Sequence, residues 1–89
     1  MPRHEAEILT KLGRHARASA KLTQVAGSFP CEVWMERGGR RINAKSIMGV
    51  MMLAAGKGAM VAIDTEGERA EEALQALLAL IANRFGEEE

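Results

Sequence analysis

Tyrosine is absent, and the aromatic residues are only Phe29, Trp34 and Phe85. Three rings are too few to build stacking platforms for nucleic-acid bases. Charge of one sign is not in excess either, because twelve Lys and Arg balance twelve Asp and Glu. Without a basic surplus the chain lacks the electrostatic footprint of a general nucleic-acid binder. Cysteine occurs once, at Cys31. That excludes an internal disulfide framework and a multi-cysteine zinc site, and it suits a reducing compartment. Cys31 itself reads as a small, semi-apolar strand residue. His4, His15 and Cys31 lack metal-ligand spacing, so neither a metal nor another cofactor is expected. No apolar run reaches the roughly 18–20 residues of a membrane span. The start, Met1-Pro-Arg-His-Glu-Ala-Glu7, has no apolar signal region. The expectation is a soluble, cytoplasmic protein with no membrane insertion. Repeats, low-complexity segments and long linkers are missing too. Gly86-Glu-Glu-Glu89 alone resembles a tail.

What is present is enough for one domain, residues 1–89, with 47% hydrophobic residues. A chain this short buries only about 60–65% of its unfolded surface. It can build one modest core but not a deep, multi-walled active site as well. Any chemistry should sit on the surface and borrow its other half from a partner.

Local patterns order the elements. Glu5-Ala-Glu-Ile-Leu-Thr10 alternates weakly and predicts a strand with Ala6 and Ile8 on one side. Residues 16–29 carry Leu22, Val25, Ala26 and Phe29 at helical spacing, and Gly27 and Pro30 mark the end. Residues 31–36 alternate, with Val33 and Met35 opposite Glu32 and Glu36, and Trp34 covering part of the sheet. Gly38-Gly39 predicts a hairpin leading into a short polar edge strand, Arg40 to Asn43. Ser46 then reads as the N-cap of a helix over 47–55. Gly56-Lys-Gly58 lacks the setting of a phosphate-binding loop and reads as a turn. Met60 to Asp64 is a strand. Residues 68–85 form an amphipathic helix striped by Leu74, Leu77, Ile81 and Phe85, with Glu68, Glu71 and Glu72 at its start. The order β-α-β-β-α-β-α predicts an α+β fold, with helices on one face of an antiparallel sheet and the other face open to solvent.

Three features bear on chemistry. Gly13-Arg-His-Ala-Arg17 places His15 near a helix start, where free N–H groups and the helix dipole favour an anion. A histidine there is discouraged from protonating and keeps a nucleophilic nitrogen. Arg17 offers a fork of donors suited to phosphate oxygens, and Arg14 adds positive charge. The pattern describes a histidine that accepts a phosphoryl group, but by itself it is not specific and fits a surface histidine beside a helix start. The run from Ile47 to Ala55 turns Val50, Leu53 and Ala54 inward if helical. It leaves Ile47, Met48, Met51 and Met52 on the flanks and outside, as a docking patch or as fillers of core gaps. Ser46, beside that patch, is either an N-cap alone or a site where a phosphate would be tolerated by the dipole and harmful to apolar contact.

Two stretches together resemble the HPr phosphocarrier family of the bacterial phosphotransferase system. They are Lys11-Leu-Gly-Arg-His-Ala-Arg17 and Asn43-Ala-Lys-Ser-Ile-Met-Gly-Val-Met-Met-Leu-Ala-Ala55, with weaker support from Glu66-Gly-Glu-Arg-Ala-Glu-Glu-Ala-Leu74. The resemblance runs from about residue 5 to 85. It implies an open-faced β-sandwich, a four-stranded antiparallel sheet with three helices on one side. It implies that His15 takes a phosphoryl group on Nδ1 from phosphorylated enzyme I, itself charged by phosphoenolpyruvate, and passes it to a histidine of a IIA protein. Arg17 then stabilises the transferred group. Ser46 matches a regulatory serine phosphorylated by HPr kinase/phosphorylase. Ile47, Met48, Met51 and Met52, with Ala16, Ala20, Lys21 and Gln24 of the first helix, match the partner-docking surface. Such a chain is a covalent carrier rather than an enzyme, and a monomer is expected of a shuttle.

The resemblance departs at Arg14, where the family usually has an aliphatic residue. It departs also at Ala18, where proline is usual, and at Ser19, where alanine is common. The end, Ala79-Leu-Ile-Ala-Asn-Arg-Phe85 followed by acids, is similar to nitrogen-branch relatives called NPr, which serve regulatory relays. The alternative function is therefore a regulatory docking module of a nitrogen-type or incomplete relay, acting mainly through Ser46 and protein binding. A self-contained enzyme is disfavoured, because one exposed histidine supplies neither water exclusion nor a second catalytic group.

Overall fold

In the computed structural model the described residues are 3–7, 16–53 and 59–83. Expectations placed on Gly13, Arg14, His15, Ala54, Ala55, the turn at 56–58, Phe85 and the tail lie outside them. The elements are β1 (Arg3–Glu7), α1 (Ala16–Gly27), β2 (Glu32–Arg37), β3 (Arg40–Asn43), α2 (Ile47–Met52), β4 (Met60–Glu66) and α3 (Ala70–Ala82). The strands pair antiparallel in the order β1-β4-β2-β3.

Alternation decides the two faces of the sheet. Val33 and Met35 of β2 and Val61 and Ile63 of β4 are fully buried against Leu22 and Ala26 of α1, Val50 of α2, and Leu74, Leu77 and Ile81 of α3. All three helices thus share one core on one side of the sheet. The turn between β2 and β3 runs through Gly38 at φ 57° and Gly39 at φ 82°. Positive φ at both central positions gives the twist a tight hairpin needs, and only glycine adopts it without strain.

Boundaries move where distant partners outweigh local pattern. β1 begins at Arg3 rather than Glu5, because Arg3 pairs across to Asp64 and donates to its carboxylate at 2.7 Å. α1 stops at Gly27, not Phe29. Its end tightens, with Ser28 N bonding to Val25 O and Phe29 N to Ala26 O. β2 starts at Glu32; Cys31, just before it, is buried where Gly67 passes close. α2 closes with Leu53 as its C-cap. β4 runs two residues past Asp64, to Glu66. α3 begins at Ala70 because Arg69 caps it in the left-handed region, φ 64°. Glu68 therefore lies outside the helix, while Glu71 and Glu72 occupy its first turn.

The face expected to lie open is partly roofed by side chains. Arg3 and Arg41 both donate to Asp64 Oδ2 at 2.7 Å, and Arg41 lies over Trp34, 5.1 Å from the ring centroid. The hydrogen bond from Arg41, and then that from Arg3, hold the Asp64 carboxyl below the usual carboxylate range against the opposing effect of burial. A depressed folded-state pKa stabilises the fold at pH values above the unfolded pKa, about 3.9 for aspartate. That stability is lost as pH falls through the folded value. Asp64→Asn is expected to cost about 1–3 kcal/mol at pH 7. It should also flatten the loss of stability below about pH 4. Urea unfolding of both proteins from pH 7 down to pH 2 measures this. Equal slopes would mean that Asp64 is not the group titrating.

Candidate functional site

The first turn of α1 begins at Ala16, directly after His15 in the chain, and contains no acidic residue. Its leading N–H groups have no partner within the helix and carry the positive end of the dipole. Arg17 stands exposed in that turn. A cation there opposes the dipole, so helix stability does not explain its position. An anion brought to this end would be attracted by both. The next residues fix the turn: Ala18 and Ser19 are fully buried. Ala18 thus anchors the helix start through packing. Further along α1, Ala20 and Gln24 are exposed at a spacing of four, on one face, and Lys21 is half-buried.

α1 packs against α2. A helix of six residues is far too short to hold itself together, so contacts at both ends fix α2. At its start, Ser46 has extended backbone angles and its Oγ accepts from Gly49 N at 3.2 Å. Asn43 Oδ1 accepts from Lys45 N, and Lys45 Nζ reaches Phe29 O at 2.8 Å. Gly49 is closely packed: a Cβ there would sit 3.3 Å from Asn43 O and 3.4 Å from Ile42 Cβ, so these neighbours would have to give way slightly. At its end, Arg40 Nη1 donates to Met52 O at 2.6 Å and Arg37 Nη1 to Leu53 O at 3.4 Å. These guanidinium groups complement the negative end of α2. The sequence reading missed both clamps. The available signal was a hairpin rich in arginine immediately before a helix with no basic residue in its last turn.

Val50 and Leu53 are buried, and the rest of α2 follows from 100° steps around that anchor. Met48 lies farthest from it, at 65% exposure, and Met52 is 58% exposed. Ile47 is 38% exposed and Met51 is half-buried. Ser46, itself exposed, adjoins this apolar surface. The described residues therefore bring Arg17, Ala20, Lys21 and Gln24 on α1 alongside Ser46, Ile47, Met48, Met51 and Met52 on α2, with His15 outside the description. Two shallow hollows, of about 200 and 340 Å³, lie elsewhere, lined by Arg3, Glu36 and Met60 and by Pro30, Trp34 and Lys45 respectively. Among the described residues, no group of three or more His, Cys, Asp and Glu could hold a metal ion. No described helix is long and apolar enough to cross a membrane.

A family model described as the PTS HPr component phosphorylation site matches residues 2–83. The chain belongs to the HPr family. It is 62% identical over 89 residues to the phosphocarrier protein HPr of Cupriavidus necator, covering both chains completely. The crystal structure of HPr-C-His from Thermoanaerobacter tengcongensis superposes with a TM-score of 0.94 at 43% identity, again over the whole of both chains. The Crh protein of Bacillus subtilis, a catabolite repression protein whose crystal structure is a swapped dimer, gives a TM-score of 0.76 at 38% identity. That likeness covers 94% of this chain and 97% of Crh. The expected open-faced sheet with three helices is the fold of these HPr structures. Membership makes the chain a phosphocarrier of the phosphotransferase system rather than an enzyme in its own right.

Proposed function

We propose that the chain carries a phosphoryl group on Nδ1 of His15, received from phosphorylated enzyme I and delivered to a histidine of a IIA protein. The observation that carries this reading is the acid-free first turn of α1, with Arg17 exposed two residues after His15 in the chain. The unprotonated ring nitrogen attacks phosphorus, and the N–P bond forms as the bond to enzyme I breaks. In the second transfer the acceptor's nitrogen attacks and His15 leaves. Phosphoryl transfer rests on positioning and on stabilising charge spread over the equatorial oxygens. Arg17 and the helix N–H groups supply that stabilisation, and the partner supplies exclusion of water.

Docking falls to α1 and α2, through Ala16, Ala20, Lys21, Gln24, Ile47, Met48, Met51 and Met52. Ser46 is its regulatory site, for HPr kinase/phosphorylase. The hydroxyl is exposed and its oxygen accepts from only one backbone N–H, which leaves its proton free for transfer. A phosphate there places about two negative charges beside an apolar contact and weakens engagement of enzyme I. The working form is a cytoplasmic monomer, which leaves one face free for successive partners; light scattering at micromolar concentration tests this against a swapped dimer.

The experiment follows phosphate from labelled phosphoenolpyruvate through enzyme I to this chain and on to added IIA protein. Label should appear on IIA only when the chain is present. Prior phosphorylation of Ser46 should slow its charging at least about tenfold, the equivalent of 1.4 kcal/mol of lost contact. If label reaches this chain but no IIA protein, the carrier reading fails in its second half. The regulatory docking module, supported by the exposed serine beside the apolar surface, then takes its place.

A further inference from the structure

Six of the 89 residues are methionine, and the structure sorts the five among the described residues sharply. Met35 is fully buried in the core and Met51 is half-buried. Met48 and Met52 point outward from α2 at 65% and 58% exposure, and Met60 is 53% exposed on β4. The single thiol, Cys31, is 2% exposed. A buried thiol meets solvent oxidants poorly. An oxidant arriving at the described part of this molecule therefore meets thioether sulfur before it meets thiol, and two of the three exposed thioethers among the described residues sit together on the six-residue helix beside Ser46.

We propose that Met48 and Met52 form a redox-sensitive modification site through which peroxide weakens partner docking. The inference rests on the reading of α2 as the docking helix. The sulfur lone pair attacks one oxygen of hydrogen peroxide and the O–O bond breaks. The sulfur is oxidised by two electrons to the sulfoxide, and the peroxide, reduced by the same two electrons, leaves as water. The sulfoxide is polar and a strong hydrogen-bond acceptor, on a side chain that had been flexible and apolar. Buried in an apolar contact without a donor, it carries a desolvation cost. Phosphate on Ser46 would act on the same face in the same direction, but a thioether needs no kinase, and methionine sulfoxide reductases reverse the change.

The test exposes the full-length protein to hydrogen peroxide and removes the peroxide with catalase. Sulfoxides are then mapped by peptide mass, and charging by untreated enzyme I is measured. Met48 and Met52 should oxidise well before Met35. The KM for this chain should rise at least about tenfold, with kcat little changed, and reductase treatment should restore it. The double variant M48L/M52L is compared only with its own untreated form, and its ratio of KM after to before peroxide should stay near one. Full sulfoxide at both positions with an unchanged KM would overturn the inference. So would a variant impaired by peroxide as much as the parent. Ile47→Glu in unoxidised protein reads the docking assignment separately. An unchanged KM there removes that assignment and the inference with it. A raised KM there, with no effect of sulfoxide, removes the redox inference alone.

Discussion

Replacing His15 by alanine is expected to abolish charging by enzyme I while leaving the fold, the docking surface and Ser46 modification intact. The residue precedes α1 in the chain, and the described core is assembled from Leu22, Met35, Ile63, Leu77 and their neighbours. The variant should therefore unfold at the temperature of the parent. It should also compete with the parent for enzyme I, with an inhibition constant close to the parent's KM, because Ile47, Met48 and Met52 remain exposed on α2. Competition without charging is the signature of a carrier that has lost only its nucleophile. Charging of the alanine variant would place the phosphoryl group elsewhere. Failure to compete would mean that the histidine itself supplies the docking energy.

Arg17→Ala should separate activity from stability, with opposite signs. Removing one preorganised donor from a transition state typically costs about 10²–10³ in rate. The same change removes a cation from the positive end of α1, a helix with no acidic residue in its first turn to offset it. Stability should be unchanged or improved by about 0.3–1 kcal/mol. Arg17→Lys keeps the charge and loses the planar fork, so it should recover part of the rate. Stopped-flow transfer from phosphorylated enzyme I and thermal unfolding, run on the same preparations, measure both effects. A rate loss accompanied by an equal loss of stability would make Arg17 a structural residue.

Those parts of the fold that depend on neighbours in sequence were legible from it. Gly38-Gly39 announces the hairpin because few other residues adopt its two positive φ angles. Alternation at Val33 and Met35, and helical spacing at Leu74, Leu77 and Ile81, identify side chains that the structure buries. Ser46 marks the start of α2 through a bond only three residues long. The rest was hidden by distance along the chain. The start of β1 depends on an Arg3–Asp64 bond spanning 61 residues, and the roof over the sheet on Arg41 reaching Asp64 across 23. The arginine clamps on α2 cross 12 and 16 residues, and periodicity carries no record of them. The beginning of α3 was displaced for a different reason. Arg69 adopts a left-handed conformation that residue preference argues against, with its guanidinium over the Phe29 ring and bonded to Glu72.

The candidate site divides the same way. Arg17 and Ser46 stand at the helix starts that the local sequence marks, and His15 lies outside the described residues. The local sequence does not mark the relative weights of the α2 methionines. Met51 and Met52 are neighbours of the same type at equal angles from the Val50–Leu53 anchor, and only the packing of the folded chain leaves the second the more exposed.

Intact mass reads directly whether His15 carries a phosphoryl group. The purified chain is incubated with enzyme I and phosphoenolpyruvate and weighed before and after brief mild acid. A single added phosphoryl group that acid removes, in keeping with a labile N–P bond, is the expected result, with none on the His15→Ala variant. An unmodified mass in the presence of a matched, active enzyme I would contradict it, as would an added group that survives acid.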